Sequence, residues 1–262
     1  MQRSPLYTIL FATAVCIVCA IVVSSSAVSL KERQEINAAL EKQRNVLQAA
    51  GLMTFDEKLD AAEIEQRFER IEMEVVDLAT GEVNSDIDPE TFDQARAAKD
   101  PSTSVVAPDN RANVKRLPNN ALVYRVLSED GDIEGLVLPI EGYGLWSTLY
   151  GFIALEDDLD TVLGITFYQH GETPGLGGEV DNPRWKSRWV GRKTFDENGV
   201  PIIHVIKGFA GPPEEDPYEV DGLSGATLTA RGVTNLVRFW LGDDGFGSYL
   251  RNLKSTEQRK AA

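Results

Sequence analysis

The feature that most constrains this chain is an apolar run without charged residues near its amino terminus, over residues 6–30. As a helix rising about 1.5 Å per residue, the run would be roughly 37 Å long, which is enough to cross an apolar layer of about 30 Å with some tilt. Arg3 and the small residues at 24–27 also fit a cleavable signal peptide. Because the core of a signal peptide is only about 7–15 residues long, we expect an uncleaved anchor over residues 1–30.

The charges beside this run do not decide its orientation. Arg3 precedes it, and Lys31 and Arg33 follow it, so the positive charges on the two sides nearly balance. Both cysteines of the chain, Cys16 and Cys19, lie inside the run on one helical face. No His, Asp or Glu is near enough to complete a metal site, so we interpret both thiols as small apolar side chains.

A helical stalk is predicted directly after the anchor. Residues 31–50 place Ile36, Leu40 and Leu47 on one stripe, and Gly51 ends the pattern. Residues 56–73 are charged and continue with a helical pattern. Residues 99–112 contain two prolines among small polar residues, which predicts a loop.

The remainder of the chain has the pattern of an α+β domain. Short runs rich in Val, Ile, Tyr and Phe predict strands at 121–127, 135–140, 149–155, 162–168 and 202–206. Asn182 followed by Pro183 signals one helix start, and the 3.6-residue spacing from Val233 to Trp240 predicts a second helix. We therefore expect a mainly antiparallel sheet. The predicted divisions are an anchor (1–30), a stalk (31–55), the amino-terminal part of a soluble body (56–120), the main domain (121–250) and a tail (251–262).

The net charge excludes one class of partner. The chain has 41 acidic and 26 basic residues, a formal charge of -15, and no basic tract. A phosphate backbone binds to clustered positive charge, so we expect no nucleic-acid partner.

Two glycine-rich segments are candidates for ligand binding. The first, GETPGLGGEV at 171–180, allows a close backbone approach to a ligand, although a plain strand-to-helix loop has the same composition. It lacks the spacing of a dinucleotide fingerprint and the Lys of a phosphate-binding P-loop. The second, DGLSGATLTARGV at 221–233, is a small-residue turn that runs into a helix. Thr227 there could cap the helix, the commoner role, or lie at a phosphate site formed by the helix amino terminus.

Taken together, these segments carry a resemblance. SGAT at 224–227, after Asp221 and Gly222, resembles the flavinylation signal of the FMN-binding domain family. In order and spacing, GLWS (144–147), GETPGLGGE (171–179), WVG (189–191), FWLG (239–242) and GFG (245–247) resemble the C subunits of sodium-translocating NADH:quinone oxidoreductases. The single anchor and the stalk fit that family, and the similarity covers nearly the whole chain. The main domain at 121–250 is thereby interpreted as an FMN-binding domain.

The resemblance implies a flavin site with a definite attachment point. The final threonine of the motif, Thr227, would be esterified to the phosphate of FMN, with Asp221, Leu223, Ser224, Gly225 and Ala226 around it. Attachment through a ring carbon would need His or Cys, and the soluble part has only His170 and His204. For the ring end of the cofactor, the candidates are Trp146, which could also be core filler, and the loop residues Glu172, Thr173, Gly175, Leu176 and Gly177. Lys207 could reach the phosphate or be a solvated surface residue. No catalytic residue and no metal ligand are expected.

The resemblance also implies where the protein works and with what. It implies an electron-transfer subunit of a six-subunit NADH:ubiquinone reductase that transports sodium, with its membrane-embedded anchor in lipid of the bacterial inner membrane and its body in the periplasm. A separate flavin transferase using FAD and magnesium would attach the cofactor. The alternatives are the corresponding FMN subunit of the ferredoxin-linked ion-translocating complex and a membrane-tethered domain that binds its ligand noncovalently.

Overall fold

The chain begins with one long helix and continues into a mixed α/β body. The computed structural model describes residues 4–128 and 131–261. Helix α1 (Pro5–Ala49) is the only helix in these ranges that is long and apolar enough to cross a membrane. By their internal contacts, the described residues form two units, which divide between Lys42 and Gln43. Gly51 follows α1 in a left-handed conformation (φ +69°), as expected for a helix end.

The body is built on a five-stranded antiparallel sheet. Its strands are β1 (Ile71–Asp77), β4 (Asn120–Leu127), β5 (Ile133–Tyr143), β6 (Thr148–Glu156) and β7 (Val162–Gln169), adjacent in that order. Four of the five are at the positions predicted from the sequence. Adjacent strands are joined by short connections, except for β1 and β4, which are separated by a long connecting segment. This arrangement is the α+β architecture expected.

Residues 56–73 are not one helix, as the sequence pattern suggested. Helix α2 (Ala61–Phe68) is short, and Asp60 caps it in a capping box with Glu63. The chain then enters β1 at Ile71. The first residues of β1 alternate between apolar and acidic side chains, and the whole strand pairs with β4. The helical prediction failed at 71–73 because sheet pairing overrides a charged local pattern.

The body also contains smaller elements. The segment between β1 and β4 forms helix α3 (Gln94–Lys99) and the paired strands β2 (Ser104–Val106) and β3 (Arg116–Pro118). The predicted loop at 99–112 therefore contains a strand. After β7 come a 3-10 segment (Gly177–Asp181), helix α4 (Pro183–Lys186) and a second 3-10 segment (Ser187–Trp189). The strand predicted at 202–206 is only β8 (His204–Val205), which pairs in parallel with β9 (Glu219–Val220).

Two helices follow β9, and the first of them packs against the sheet. Helix α5 (Thr227–Leu241) packs against β5, and the Trp240 indole donates a hydrogen bond to the Glu141 carbonyl at 2.7 Å. Helix α6 (Gly247–Ala261) begins with the buried Tyr249 and Leu250, so much of the predicted tail is helical. The sheet is buried on both faces, since the residues just before the end of α1, Asn45 to Leu47, are buried and the Asn45 carbonyl accepts a hydrogen bond from Thr166 in β7.

Candidate functional site

The SGAT turn places Thr227 at the first helical position of α5. Gly225 adopts φ +70°, a left-handed conformation that favours glycine, and Ala226 occupies the cap position. No side chain caps this helix, and Thr227 is exposed. The capping interpretation of Thr227 is therefore wrong. No other residue in the described ranges is hydrogen-bonded to its hydroxyl, and Thr227 lines a groove.

This groove, which we call the α5 groove, has a volume of about 970 Å³. One wall is a stripe of α5 that starts at Thr227 and ends at Arg238, about 16 Å along the helix axis. The opposite wall is the segment from His204 to Phe209. The residues of the predicted site that line the groove are Leu223, Ser224, Gly225, Thr227 and Lys207. Ala226 lies between them but is buried.

The α5 groove is lined by positive charge. Arg111, Lys207, Arg231 and Arg238 line it, and none of the described lining residues carries a carboxylate. Within residues 4–128 and 131–261, no carboxylate lies within ion-pair distance of any of the four. Arg238 donates to the carbonyls of Ile202 and Ile203. Burial, and then the neighbouring positive charge of Arg111, lowers the pKa of Arg238. The groove is thus a local cationic site in an acidic chain.

The three arginines were missed by the sequence reasoning. Arg111 is over a hundred residues away from the motif, and folding brings it to the groove, where its carbonyl accepts a hydrogen bond from Asn235 at 3.1 Å. Arg231 and Arg238 could have been found, because they follow Thr227 by four and eleven residues and so share a helical face with it.

Glu172 occupies a buried position that joins two segments of the site. One carboxylate oxygen accepts hydrogen bonds from the backbone N–H groups of Leu145, Trp146 and Ser147 at 2.9–3.2 Å. The other accepts from the Thr229 hydroxyl at 2.7 Å. Burial alone would raise the pKa of this carboxyl, but the Thr229 bond and the three N–H bonds outweigh it and lower the pKa. Glu172 therefore fixes the 145–147 turn to the start of α5, and it does not line the α5 groove.

The glycine-rich loop packs directly against the SGAT turn. A Cβ atom at Gly225 would lie 2.9 Å from Leu176 Cδ2, and one at Gly177 would lie 2.5 Å from Thr229 Oγ1. The loop turns tightly, since the Thr173 carbonyl accepts hydrogen bonds from the N–H groups of Leu176 and Gly178. Gly175 is at φ +75°. The structure thus brings together the two motifs that the sequence singled out.

Apolar side chains are exposed beside this junction. Trp146 is 66% exposed, so the interpretation of Trp146 as core filler is wrong. Leu176 and Leu228 are each 45% exposed. Large apolar side chains open to solvent in a tightly folded region are typical of a binding surface.

Asp221 has a supporting position rather than one in the groove. Its carboxylate accepts from the Ala210 N–H at 2.9 Å and lies 3.4 Å from Arg188 Nε. Its carbonyl accepts from the buried Trp185 indole at 2.8 Å. Asp221 therefore connects the loop before it to the body.

Comparison with known proteins identifies the family. The FMN-binding domain family matches residues 144–242, which include both glycine-rich motifs and all of α5. The C subunit of the Na(+)-translocating NADH-quinone reductase of Pseudomonas aeruginosa is 47% identical over 260 residues, covering 98% of both chains. The protein of the same name from Yersinia pestis is 45% identical and covers 94% of this chain and 92% of its own. This chain belongs to the family of C subunits of Na(+)-translocating NADH-quinone reductases.

Solved structures agree with this assignment. The crystal structure of Shewanella oneidensis NqrC is 37% identical, with a TM-score of 0.75, and the match covers 86% of this chain and 99% of that one. The corresponding protein from Parabacteroides distasonis, at 24% identity and a TM-score of 0.64, shares the fold. The predicted fold class, one apolar helix followed by an α+β FMN-binding domain, is confirmed. The relatives are subunits of an oxidoreductase complex, as the resemblance implied.

Proposed function

We propose that this chain relays electrons within a Na+-translocating NADH:quinone reductase through an FMN esterified to Thr227. The observation that carries this proposal is the position of Thr227. It is exposed at the first residue of α5 and lines a cationic groove. A hydroxyl placed in this way is accessible to a modifying enzyme.

The residues present fit a flavin phosphate. The amino-terminal N–H groups of a helix and its dipole favour an anion, and α5 has 15 residues. The positive charges of the groove favour the FMN phosphate locally, although the chain as a whole carries a net charge of -15. Covalent attachment also replaces bimolecular binding by a high effective concentration, so the cofactor stays in place.

The ring end of the cofactor would lie against the exposed apolar side chains beside the SGAT turn. Trp146 and Leu176 offer a flat aromatic surface and an aliphatic one, both of which suit an isoalloxazine. The backbone N–H groups of Gly175 and Gly177, in the loop that packs on the SGAT turn through Leu176, would be the donors to a polar ring edge. When bound, FMN would supply the electron-transfer chemistry, and this chain would supply its position and the surrounding charge.

We also propose where this chain is located, which partners it has and how the flavin is attached. The body would lie in the periplasm, held to the inner membrane by α1 in contact with lipid, with the other subunits of the complex as partners. Thr227 Oγ1 would bond to phosphorus on a flavin transferase as the anhydride bond of FAD breaks and AMP leaves, with Mg²⁺ assisting. The hydroxyl proton would pass to a base of that enzyme. The similarity to quinone-reductase subunits favours this complex over the ferredoxin-linked one.

The test is the mass of the flavin-loaded chain. Coexpression with a flavin transferase should add one FMN residue, about 440 Da after loss of water, which survives denaturation. Thr227→Val keeps the shape of the side chain but removes the hydroxyl, so this variant should have the unmodified mass and show no fluorescence in a denaturing gel.

Thr229→Val is the matched control. Its hydroxyl is buried on Glu172, so it should still carry the flavin. If Thr227→Val retains the added mass, another residue is the acceptor. A wild type that binds flavin but releases it on denaturation would support the noncovalent alternative.

A further inference from the structure

One helical turn beyond Thr227, helix α5 carries an exposed arginine, Arg231. Arg231 is four residues further along α5, and the Cβ atoms of such pairs are about 5–6 Å apart. Side chains on an α-helix lean toward its amino terminus, so an arginine four residues after Thr227 is within reach of that residue. Both residues line the α5 groove.

Arg231 has no opposite charge to pair with in the described part of the chain. Many other arginines of the body do have one, since Arg67, Arg70, Arg188 and Arg251 each lie within 3.4 Å of a carboxylate. Arg231 instead faces a groove that it shares with Lys207, Arg111 and Arg238. Without an anion in the groove, these like charges repel one another.

We propose that Arg231 binds the phosphate of the flavin attached to Thr227, and so acts as the counter-charge of the phosphodiester. This inference rests on the proposed function of Thr227. The phosphodiester carries a single negative charge, and a guanidinium can donate two parallel hydrogen bonds to its free oxygens. Arg231 positions the cofactor by its phosphate end and does not contact the redox-active ring.

Arg231 should affect the Tm in opposite directions in the flavin-free and the flavinylated protein. In the chain without flavin, Arg231→Gln removes one of four repelling charges, so the Tm should stay the same or rise. In the flavinylated chain, the same change removes the partner of the phosphate, so the Tm should fall by about 2–4 °C, the size expected for one partly exposed ion pair in a body of this length. A merely structural arginine would lower the Tm of both forms.

The experiment compares matched pairs of full-length chains in detergent. Wild type, Arg231→Gln and Arg231→Lys are each prepared with and without flavin, by coexpression with and without the transferase, and their masses are checked. Arg251→Gln is the control, because it breaks an ion pair with Asp243, away from the groove, and should change both forms equally. Tm and the fluorescence anisotropy of the bound flavin are measured at low and high salt.

The expected result is specific to the flavinylated form. Arg231→Gln should reduce the Tm gain caused by the flavin and lower its anisotropy, Arg231→Lys should restore part of both, and salt should weaken the gain in wild type more than in Arg231→Gln. Equal Tm changes in the two forms, or an unchanged flavin gain in Arg231→Gln, overturns the inference and leaves flavin attachment standing. A wild type without the added mass overturns both.

Discussion

At the scale of single residues, the site depends on side chains that hold its parts together as much as on those that face the ligand. Glu172 shows this most clearly, because one carboxylate receives four hydrogen bonds from two separate segments. Sequence reasoning placed Glu172 among the residues around the flavin ring. Its position indicates that it would act on the flavin through the turn that carries Trp146.

We expect Glu172→Gln to destabilise the body by about 1.5–3 kcal/mol, because hydrogen bonds to a charged acceptor are lost in a buried place. The folded-state pKa of Glu172 is lowered, so its stabilising contribution is present at neutral pH and is lost as the pH falls through that pKa. Urea unfolding of wild type and variant from neutral to acidic pH measures this. The two curves should converge at low pH, whereas Glu214→Gln, at an exposed position, should match wild type throughout. If the free energies of unfolding of wild type and Glu172→Gln differed by the same amount at every pH, the negative charge assigned to Glu172 would be wrong.

At the scale of elements, helix α5 connects the site to the core. Its first turn carries Thr227, its exposed stripe forms one wall of the groove, and its opposite side packs on β5. This packing is close because Gly232 has no side chain. A Cβ atom there would lie 2.6 Å from the Tyr143 carbonyl oxygen and 2.9 Å from the Gly144 Cα. Both neighbours are backbone atoms that lead directly into the turn held by Glu172.

Gly232→Ala should therefore destabilise the body, although alanine is the better helix former by about 1 kcal/mol. The overpacked contact should cost about 1–3 kcal/mol beyond that gain, because the backbone of β5 cannot yield as a flexible side chain would. Chemical denaturation of the flavin-free chain tests this, with Leu228→Ala, at an exposed position of the same helix, as the control. A variant as stable as wild type would show that α5 and β5 can separate without loss.

At the scale of the whole molecule, charge is distributed unevenly. The chain carries -15 overall, yet the groove beside Thr227 is cationic. The other large-scale feature is α1, whose apolar part carries no charged residue, so a complete ion path within this chain is not expected. The anchor instead fixes which compartment the body faces.

If the body lies in the periplasm and α1 is uncleaved, as we propose, protease added to intact spheroplasts should degrade the chain to a small fragment that stays with the membrane. A cytoplasmic protein in the same sample serves as the control for intact cells. Protection in spheroplasts with cleavage only in inverted vesicles would reject the orientation. A mature chain whose mass lacks the apolar run would instead support the signal-peptide alternative.

Local patterns in the sequence determined most of the elements. The apolar run predicts α1, and alternation and turn residues predict β4 to β7, because each of these depends on neighbours within a few positions. The SGAT motif is local too, and its resemblance to the flavinylation signal of the family is what proposes Thr227 as the attachment residue. The start of strand β1 was predicted as a helix for the converse reason. Ile71 is fixed by burial and by pairing with the distant strand β4, which no local pattern reports.

The arrangement of the site was decided only by the tertiary structure. Arg111 reaches the groove through a contact with Asn235, 124 residues away, and Glu172 meets Thr229 across 57 residues. Whether Trp146 was core or surface also depended on the packing around it, and the structure leaves it exposed. The sequence alone could propose Thr227 as the attachment residue, since the motif that suggests it is local. The positive charges around Thr227 and the hydrogen bonds that hold the site together come from long-range contacts. These contacts exist only once the sheet and α5 have packed.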